Sequence, residues 1–139
     1  MVQIIAGIKG KGKTRRLLDM ANARIKDATG SVVYLDKSSK HMYELSNKIR
    51  LINVSEYNIM TSDGFLGFVS GIISQDHDLE KVYLDSFLKV ACLNIEDIER
   101  VIAKLDMISV KFNVDIIISL SANAETLTEA VRSKVIVAL

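Results

Sequence analysis

The residues of this chain best suited to chemistry form one segment near its start, Gly7-Ile8-Lys9-Gly10-Lys11-Gly12-Lys13-Thr14. The segment fits the pattern G-x-x-x-x-G-K-[ST] in full. A glycine-rich loop can turn several backbone N–H groups toward one centre and so bind an anion. Lys13 adds a cation, and Thr14 adds a hydroxyl that can coordinate Mg²⁺. The spacing therefore predicts a binding site for a phosphate chain.

The sequence on either side of this segment predicts the elements that such a site needs. Residues 2–6 form a short apolar run, typical of a buried strand. From Lys13 to about Asp27, apolar residues recur at helical spacing. A helix that begins here directs its free N-terminal amides and the positive end of its dipole toward a bound phosphate. The alternative is a glycine-rich turn that fits the pattern by chance, and such a turn would not need a strand before it and a helix after it. The expected phosphate ligands are Gly7, Lys9, Gly10, Lys11, Gly12, Lys13, Thr14 and Arg15.

A second segment, Val82-Tyr83-Leu84-Asp85, is an apolar run that ends in a carboxylate. Together the two segments resemble the Walker A and Walker B elements of P-loop nucleoside triphosphatases. The resemblance implies that Thr14 and Asp85 hold Mg²⁺, with Asp85 often acting through a water. The alternative interpretation is that Asp85 is a strand-ending carboxylate that caps the next turn.

Short apolar runs alternate with longer amphipathic stretches along the chain. The runs predict strands at residues 2–6, 31–36, 81–87, 114–120 and 134–139, with a further short strand at 50–54. Strands without polar alternation are buried on both faces, and strands separated by helices need crossover connections. We therefore expect a single α/β domain over residues 1–139, a three-layer sandwich around a mostly parallel sheet of five or six strands. Resemblance to the RecA-like branch of P-loop proteins implies the strand order 5-1-4-3-2, with the 50–54 strand as an addition.

The same resemblance suggests which residues act in hydrolysis. In the RecA-like branch a polar residue at the end of the fourth strand senses the γ-phosphate, and Ser119 and Ser121 stand there, unless they are ordinary strand-end serines. Many members have a glutamate directly after the Walker B aspartate to activate water, whereas this chain has Ser86. RecA itself also has serine at that place, and its glutamate lies beyond the second strand, where this chain has Asp36. The expected catalytic residues are Lys13, Asp36 and Ser119, with Asp36 as a general base or else a simple strand-end acid.

ATP is the expected nucleotide. GTPases recognise guanine with Asn-Lys-x-Asp, and Asn47-Lys48-Ile49-Arg50 has the wrong fourth residue and precedes the Walker B-like strand. Ser121-Ala122-Asn123 is similar to a GTPase Ser-Ala-Lys element but lacks its partner motif. The ParA/MinD class has a lysine directly after the first loop glycine, where this chain has Ile8, so that class is rejected.

The cations around the loop have two interpretations. Lys9, Lys11, Arg15 and Arg16 could neutralise phosphates or meet a polyanion such as nucleic acid. The favoured interpretation is a solvated rim on the loop and the first helix turn. The formal net charge of +1 also argues against the protein as a whole binding nucleic acid electrostatically, and leaves a local basic patch open. A nucleic-acid partner is therefore not expected.

Five other residues with reactive side chains show no motif. Arg100 and Arg132 are candidates to complete a neighbouring copy's site if the protein forms a ring, although each is more typical of a surface arginine. His41 and His77 lack metal-site spacing. Cys92 follows a predicted strand in apolar surroundings and is expected to be buried.

Length and composition exclude several classes of protein. A chain of 139 residues fits one domain, and 49% hydrophobic with 25% charged residues is not the balance of a disordered chain. One cysteine cannot form an internal disulfide. No apolar run approaches the roughly 18–20 residues of a transmembrane helix, and the first residues do not resemble a signal peptide. A cytoplasmic location without membrane insertion is expected.

These observations favour a small Mg²⁺-dependent ATPase that is slow or stimulated by a partner, which could be a second copy or an unidentified protein. The chain resembles small bacterial ATP-binding proteins of undefined role, some labelled after PilT-type pilus-retraction motors. Those motors have an N-terminal domain and histidine- and acid-rich boxes for which the sequence leaves no space. Two alternatives stay open: a module in which ATP binds without hydrolysis, and a small-molecule phosphotransferase. The second is less favoured, because residues 55–80 hold no arginine or lysine for a lid over the phosphates.

Overall fold

Six apolar runs form the strands of one sheet, and a computed structural model describes all 139 residues. Most boundaries lie within two residues of those that the sequence predicts. The strands are β1 (Val2–Gly7), β2 (Ser31–Asp36), β3 (Arg50–Asn53), β4 (Leu79–Leu84), β5 (Asp115–Ser121) and β6 (Val135–Ala138). The helices are α1 (Lys13–Asp27), α2 (Ser62–Ser74), α3 (Phe87–Val90), α4 (Ile98–Phe112) and α5 (Glu129–Arg132).

The sheet has the order β3-β2-β4-β5-β1-β6, and every strand pairing is parallel. When β3 is set aside, the other five strands follow the predicted order 5-1-4-3-2. The sheet therefore has one strand more than that order, and the addition pairs with β2 at the edge. The expected α/β class and the expected position of the 50–54 segment as an extra strand are confirmed.

Helices cover both faces of the sheet. Successive strand residues point to opposite sides, so each face of the sheet has its own cluster of buried side chains. Ile5 and Tyr34 pack with Leu17 and Leu18 of α1 in a cluster of 10 buried residues. Their strand neighbours point the other way, into a cluster of 27 buried residues that includes side chains of α2, α4 and α5. The continuous apolar runs thus supply two core layers, as a parallel sheet covered on both faces requires. None of the helices is both long enough and apolar enough to cross a membrane.

One predicted boundary was wrong in a way that affects the site. The sequence predicts a strand over 81–87, but β4 ends at Leu84. Ser86 adopts the left-handed conformation with φ 56° and turns the chain, so that Phe87 begins the short helix α3 instead of continuing the strand. Asp85 is therefore the first residue beyond the strand, at the carboxyl edge of the sheet.

Candidate functional site

The loop between β1 and α1 ends in an open helix N-terminus. Gly10 and Gly12 adopt positive φ angles of 89° and 90°, a region that favours glycine. Gly12 is the N-cap of α1 but has no side chain to bond the first amides, and the first turn holds no acidic residue. The free N–H groups and the positive end of a 15-residue helix are therefore available to an anion.

Lys13 lies against this loop and is largely buried. Its Nζ donates a hydrogen bond to the carbonyl oxygen of Ile8 at 3.1 Å, so the side chain folds back over the loop. Burial lowers the pKa of Lys13, and the nearby Asp85 carboxylate partly opposes this effect. A cation held in this way can move to a phosphate that occupies the loop.

Asp85 accepts more hydrogen bonds than the other side chains at this edge of the sheet, and it is 2% exposed. Its Oδ1 accepts hydrogen bonds from Thr14 Oγ1 at 3.2 Å, Ser119 Oγ at 2.6 Å and the backbone N–H of Ser86 at 2.9 Å. Its Oδ2 accepts one from the hydroxyl of Tyr34 at 2.8 Å. Burial, followed by the charge of Asp85, raises the pKa of Tyr34, so this hydroxyl is held as a donor. The two predicted Mg²⁺ ligands, Thr14 and Asp85, are therefore in direct contact.

Asp36 ends β2 beside Asp85 and is also 2% exposed. Its Oδ1 accepts a hydrogen bond from the backbone N–H of Lys37 at 2.7 Å, while its buried Oδ2 has no partner. Burial and then the charge of Asp85 raise the pKa of Asp36, against lowering contributions from the Lys37 amide, His41 and the Lys37 ammonium. A carboxylate with one free oxygen and a raised pKa is chemically suited to accept a proton.

These groups line a single cavity of about 510 Å³. The residues expected to be catalytic, Lys13, Asp36 and Ser119, all line it, as do both expected metal ligands. Among the eight expected phosphate ligands, the cavity is lined by Lys9, Gly10, Gly12, Lys13 and Thr14.

The other three expected phosphate ligands lie outside the cavity lining. Gly7 is buried against the end of the chain, where a Cβ would lie 3.1 Å from Leu139. Lys11 is exposed. The Arg15 guanidinium donates to Glu44 at 2.6 Å and to Asp19 at 3.4 Å, so its charge is already paired.

The structure adds cavity residues that the sequence analysis missed. They lie in the segments that follow β2 and β4, and they are Lys37, Ser38, Lys40, His41, Leu88 and Lys89. The place of residues 37–40 could have been predicted from the sequence. These residues follow the carboxyl end of β2, and the carboxyl ends of parallel strands meet at one edge of a sheet. Ser121, the second candidate γ-phosphate sensor, also lines the cavity.

The residues present fit a hard divalent cation only together with a phosphate ligand. No group of three or more His, Cys, Asp or Glu side chains is arranged to hold a metal ion. Thr14 and Asp85 offer a hydroxyl and a carboxylate oxygen, which are the ligand types that Mg²⁺ prefers. Mg²⁺ usually combines one or two protein ligands with substrate phosphates. Thr14 and Asp85 therefore supply enough protein ligands for such a site.

The side chains without a motif are paired with other residues of the chain or exposed, and of these only His41 lines the cavity. Arg100 donates to Ser62 at 2.9 Å, and Arg132 donates to the carbonyl oxygen of Leu127 at 2.7 Å. His41 pairs with Glu44. The expectation that Cys92 is buried was wrong, because the left-handed turn at this residue, φ 55°, leaves it exposed.

Comparison with known proteins identifies the class of fold. Neither a protein-family model nor a curated protein sequence matches the chain. Among solved structures, the flagellar accessory protein FlaH from Methanocaldococcus jannaschii is similar over 95% of this chain, with a TM-score of 0.60 and 17% sequence identity. The chain spans 65% of the length of that FlaH chain. This likeness shows the fold alone, an α/β fold with a parallel sheet of six strands and helices on both faces.

Proposed function

We propose that this protein binds ATP with Mg²⁺ and hydrolyses it slowly or on stimulation by a partner. The observation that carries the proposal is the convergence of Lys13, Thr14 and Asp85 with the open N-terminus of α1 on one cavity. Backbone amides, a mobile ammonium and a hydroxyl–carboxylate pair are the groups that a magnesium-bound triphosphate requires. The parallel α/β fold, together with the resemblance of residues 7–14 and 82–85 to Walker elements, supports the same assignment.

Each side chain has a distinct role in this proposal. Thr14 and Asp85 hold Mg²⁺, which neutralises charge on the phosphates when it is bound. Lys13 leaves the Ile8 carbonyl oxygen and binds the phosphate chain. Ser119, whose hydroxyl donates to Asp85 at 2.6 Å, positions that carboxylate and senses occupancy of the cavity.

Asp36 is the proposed proton acceptor for the attacking water. Its unpartnered Oδ2 and its raised pKa suit that role. Hydrolysis is expected to be slow because Ser86, and not a glutamate, follows Asp85. The Ser86 N–H is bonded to Asp85 and to Ser119 at 2.9 and 3.0 Å, so this position stabilises the turn and supplies no base.

The same feature favours a second candidate, an ATP-responsive module that does not hydrolyse its ligand. In that case nucleotide binding would order the surface around the cavity for a partner or a second copy of the chain. A measurement of phosphate release separates the two candidates.

Thermal unfolding in the presence of nucleotide tests the proposal. MgATP is expected to raise the melting temperature in a concentration-dependent way, and MgGTP is expected to raise it less. Asp85→Asn should reduce the part of the shift that depends on Mg²⁺, while Asp27→Asn, an exposed change at the far end of α1, should leave it intact. Absence of a shift with either nucleotide would refute the proposal, and phosphate release above the buffer rate would assign hydrolysis.

A further inference from the structure

The cavity carries more positive charge than the phosphate loop accounts for. It is lined by five lysines and two aspartates. Of the aspartates, Asp85 already accepts four hydrogen bonds, and Asp36 forms no salt bridge. Four lysines of the lining likewise have no salt-bridge partner: Lys9, Lys37, Lys40 and Lys89.

Two of these lysines, Lys37 and Lys89, come from the side of the cavity opposite the loop. Lys37 directly follows β2, and Lys89 lies in α3, just beyond β4. In the sheet, β4 is two strands and β2 is three strands from β1, which leads into the loop. At about 4.8 Å between neighbouring strands, β4 and β2 lie roughly 10 and 14 Å from β1. The lysine pair and the loop therefore line the same cavity from two ends.

Lys37 and Lys89 also follow neighbouring strands, because β2 pairs with β4, and both line the cavity. The charge of Lys37 is the largest cause that lowers the pKa of Lys89, and burial and the charge of Lys9 add smaller effects in the same direction. Like charges repel, and neither Lys37 nor Lys89 forms a salt bridge with a carboxylate. An anion bound between them would relieve that repulsion. A phosphate group fits because its several oxygens can accept hydrogen bonds from two ammonium groups at once.

We propose that Lys37 and Lys89 form a second phosphate subsite in this cavity, distinct from the glycine loop. The subsite binds either the terminal phosphate of a triphosphate held by the loop or the phosphate of a second ligand. The inference rests on the proposed function, because the loop must hold a nucleotide for its terminal phosphate to reach the pair. If it binds the terminal phosphate, the subsite lets the protein distinguish a triphosphate from a diphosphate without a residue from another chain.

Calorimetric titration of three proteins tests the subsite. They are the wild type, the double variant Lys37→Gln with Lys89→Gln, and the control Lys104→Gln with Lys111→Gln, which loses two exposed charges on α4. Each is titrated with MgADP and with MgATPγS, a slowly hydrolysed analogue, and then with inorganic phosphate after saturation by MgATPγS. If the pair binds the terminal phosphate, the double variant binds MgATPγS about tenfold more weakly and binds MgADP as the wild type does.

The other outcomes are equally decisive. If MgATPγS affinity is unchanged but inorganic phosphate binds the loaded wild type and not the double variant, the subsite serves a second ligand. If the double variant matches the wild type in all three titrations, or loses MgADP and MgATPγS affinity equally, the subsite is refuted while the proposed function stands. If the wild type binds neither nucleotide, the proposed function fails and the subsite fails with it.

Discussion

At the scale of single residues, the two buried aspartates differ in how their oxygens are satisfied. Asp85 accepts bonds from four donors, whereas the Oδ2 of Asp36 has none. An unpartnered buried carboxylate oxygen costs stability, because the group has lost its hydration without compensation. Such a cost is typical of functional positions, where activity and stability compete.

Asp36→Asn is therefore expected to be more stable than the wild type at neutral pH and to release phosphate more slowly. The raised pKa means that the folded protein holds this proton more tightly than the unfolded chain, whose ordinary value is 3.8. As pH rises from that value through the raised folded pKa, the wild type loses free energy of unfolding that the variant keeps. The advantage of the variant should thus shrink as pH falls toward about 4.

Urea unfolding of both proteins at neutral pH and near the acid limit measures this difference, with Asp27→Asn as the exposed control. Comparing variant with wild type at each pH cancels the carboxylates whose pKa is lowered, such as Asp115. Its pKa falls, against a raising effect of burial, through bonds to the N-terminus and Lys81. An Asp36→Asn variant that is less stable than the wild type at neutral pH would contradict this account of Asp36.

At the scale of elements, the position of β2 decides where Tyr34, Asp36 and Lys37 meet Asp85. The entry to this strand is tightly packed, because a Cβ on Gly30 would lie only 1.9 Å from the backbone carbonyl oxygen of Asp78. The next residue, Ser31, donates its N–H to the same oxygen at 2.8 Å. Close approach of two backbone segments here fixes β2 against β4.

Gly30→Ala is expected to lower the free energy of unfolding by about 1–3 kcal/mol, because the neighbouring atom is backbone and cannot move away cheaply. Gly67→Ala provides the matched control within α2, where a Cβ would meet nothing within 4 Å. That variant should be more stable than the wild type by about 0.5–1 kcal/mol, since alanine favours a helix interior. Equal effects of the two substitutions in urea unfolding would refute this explanation.

At the scale of the whole molecule, the sequence pattern predicts the sheet well, because an apolar run buried on both faces leaves little choice of fold class. The sequence also predicts that the motif at residues 7–14 and the Asp85 carboxylate lie at one edge of the sheet, because each stands at the end of an apolar run. The end of β4 could not be predicted from the sequence, because it depends on the left-handed turn at Ser86. Serine rarely adopts a φ of 56°.

Contacts within the site between residues far apart in the chain could not be predicted from the sequence pattern either. The Tyr34–Asp85 hydrogen bond joins residues 51 positions apart, and the pattern marks Tyr34 only as a core residue. Lys37 and Lys89 line one cavity because β2 and β4 are neighbours in the sheet. The Arg15 side chain lies outside the cavity lining because it pairs with Glu44, which belongs to a distant turn.

The central claim is that main-chain amides of the glycine loop bind a phosphate chain, and amide NMR tests it most directly. A ¹⁵N–¹H spectrum recorded with increasing MgATP should show its largest shift changes at Gly10, Gly12, Lys13 and Thr14. The Lys13→Ala variant should need far higher MgATP concentrations for the same changes. Amides of the loop that stay in place while MgATP is added, or changes centred on another part of the molecule, would contradict the claim.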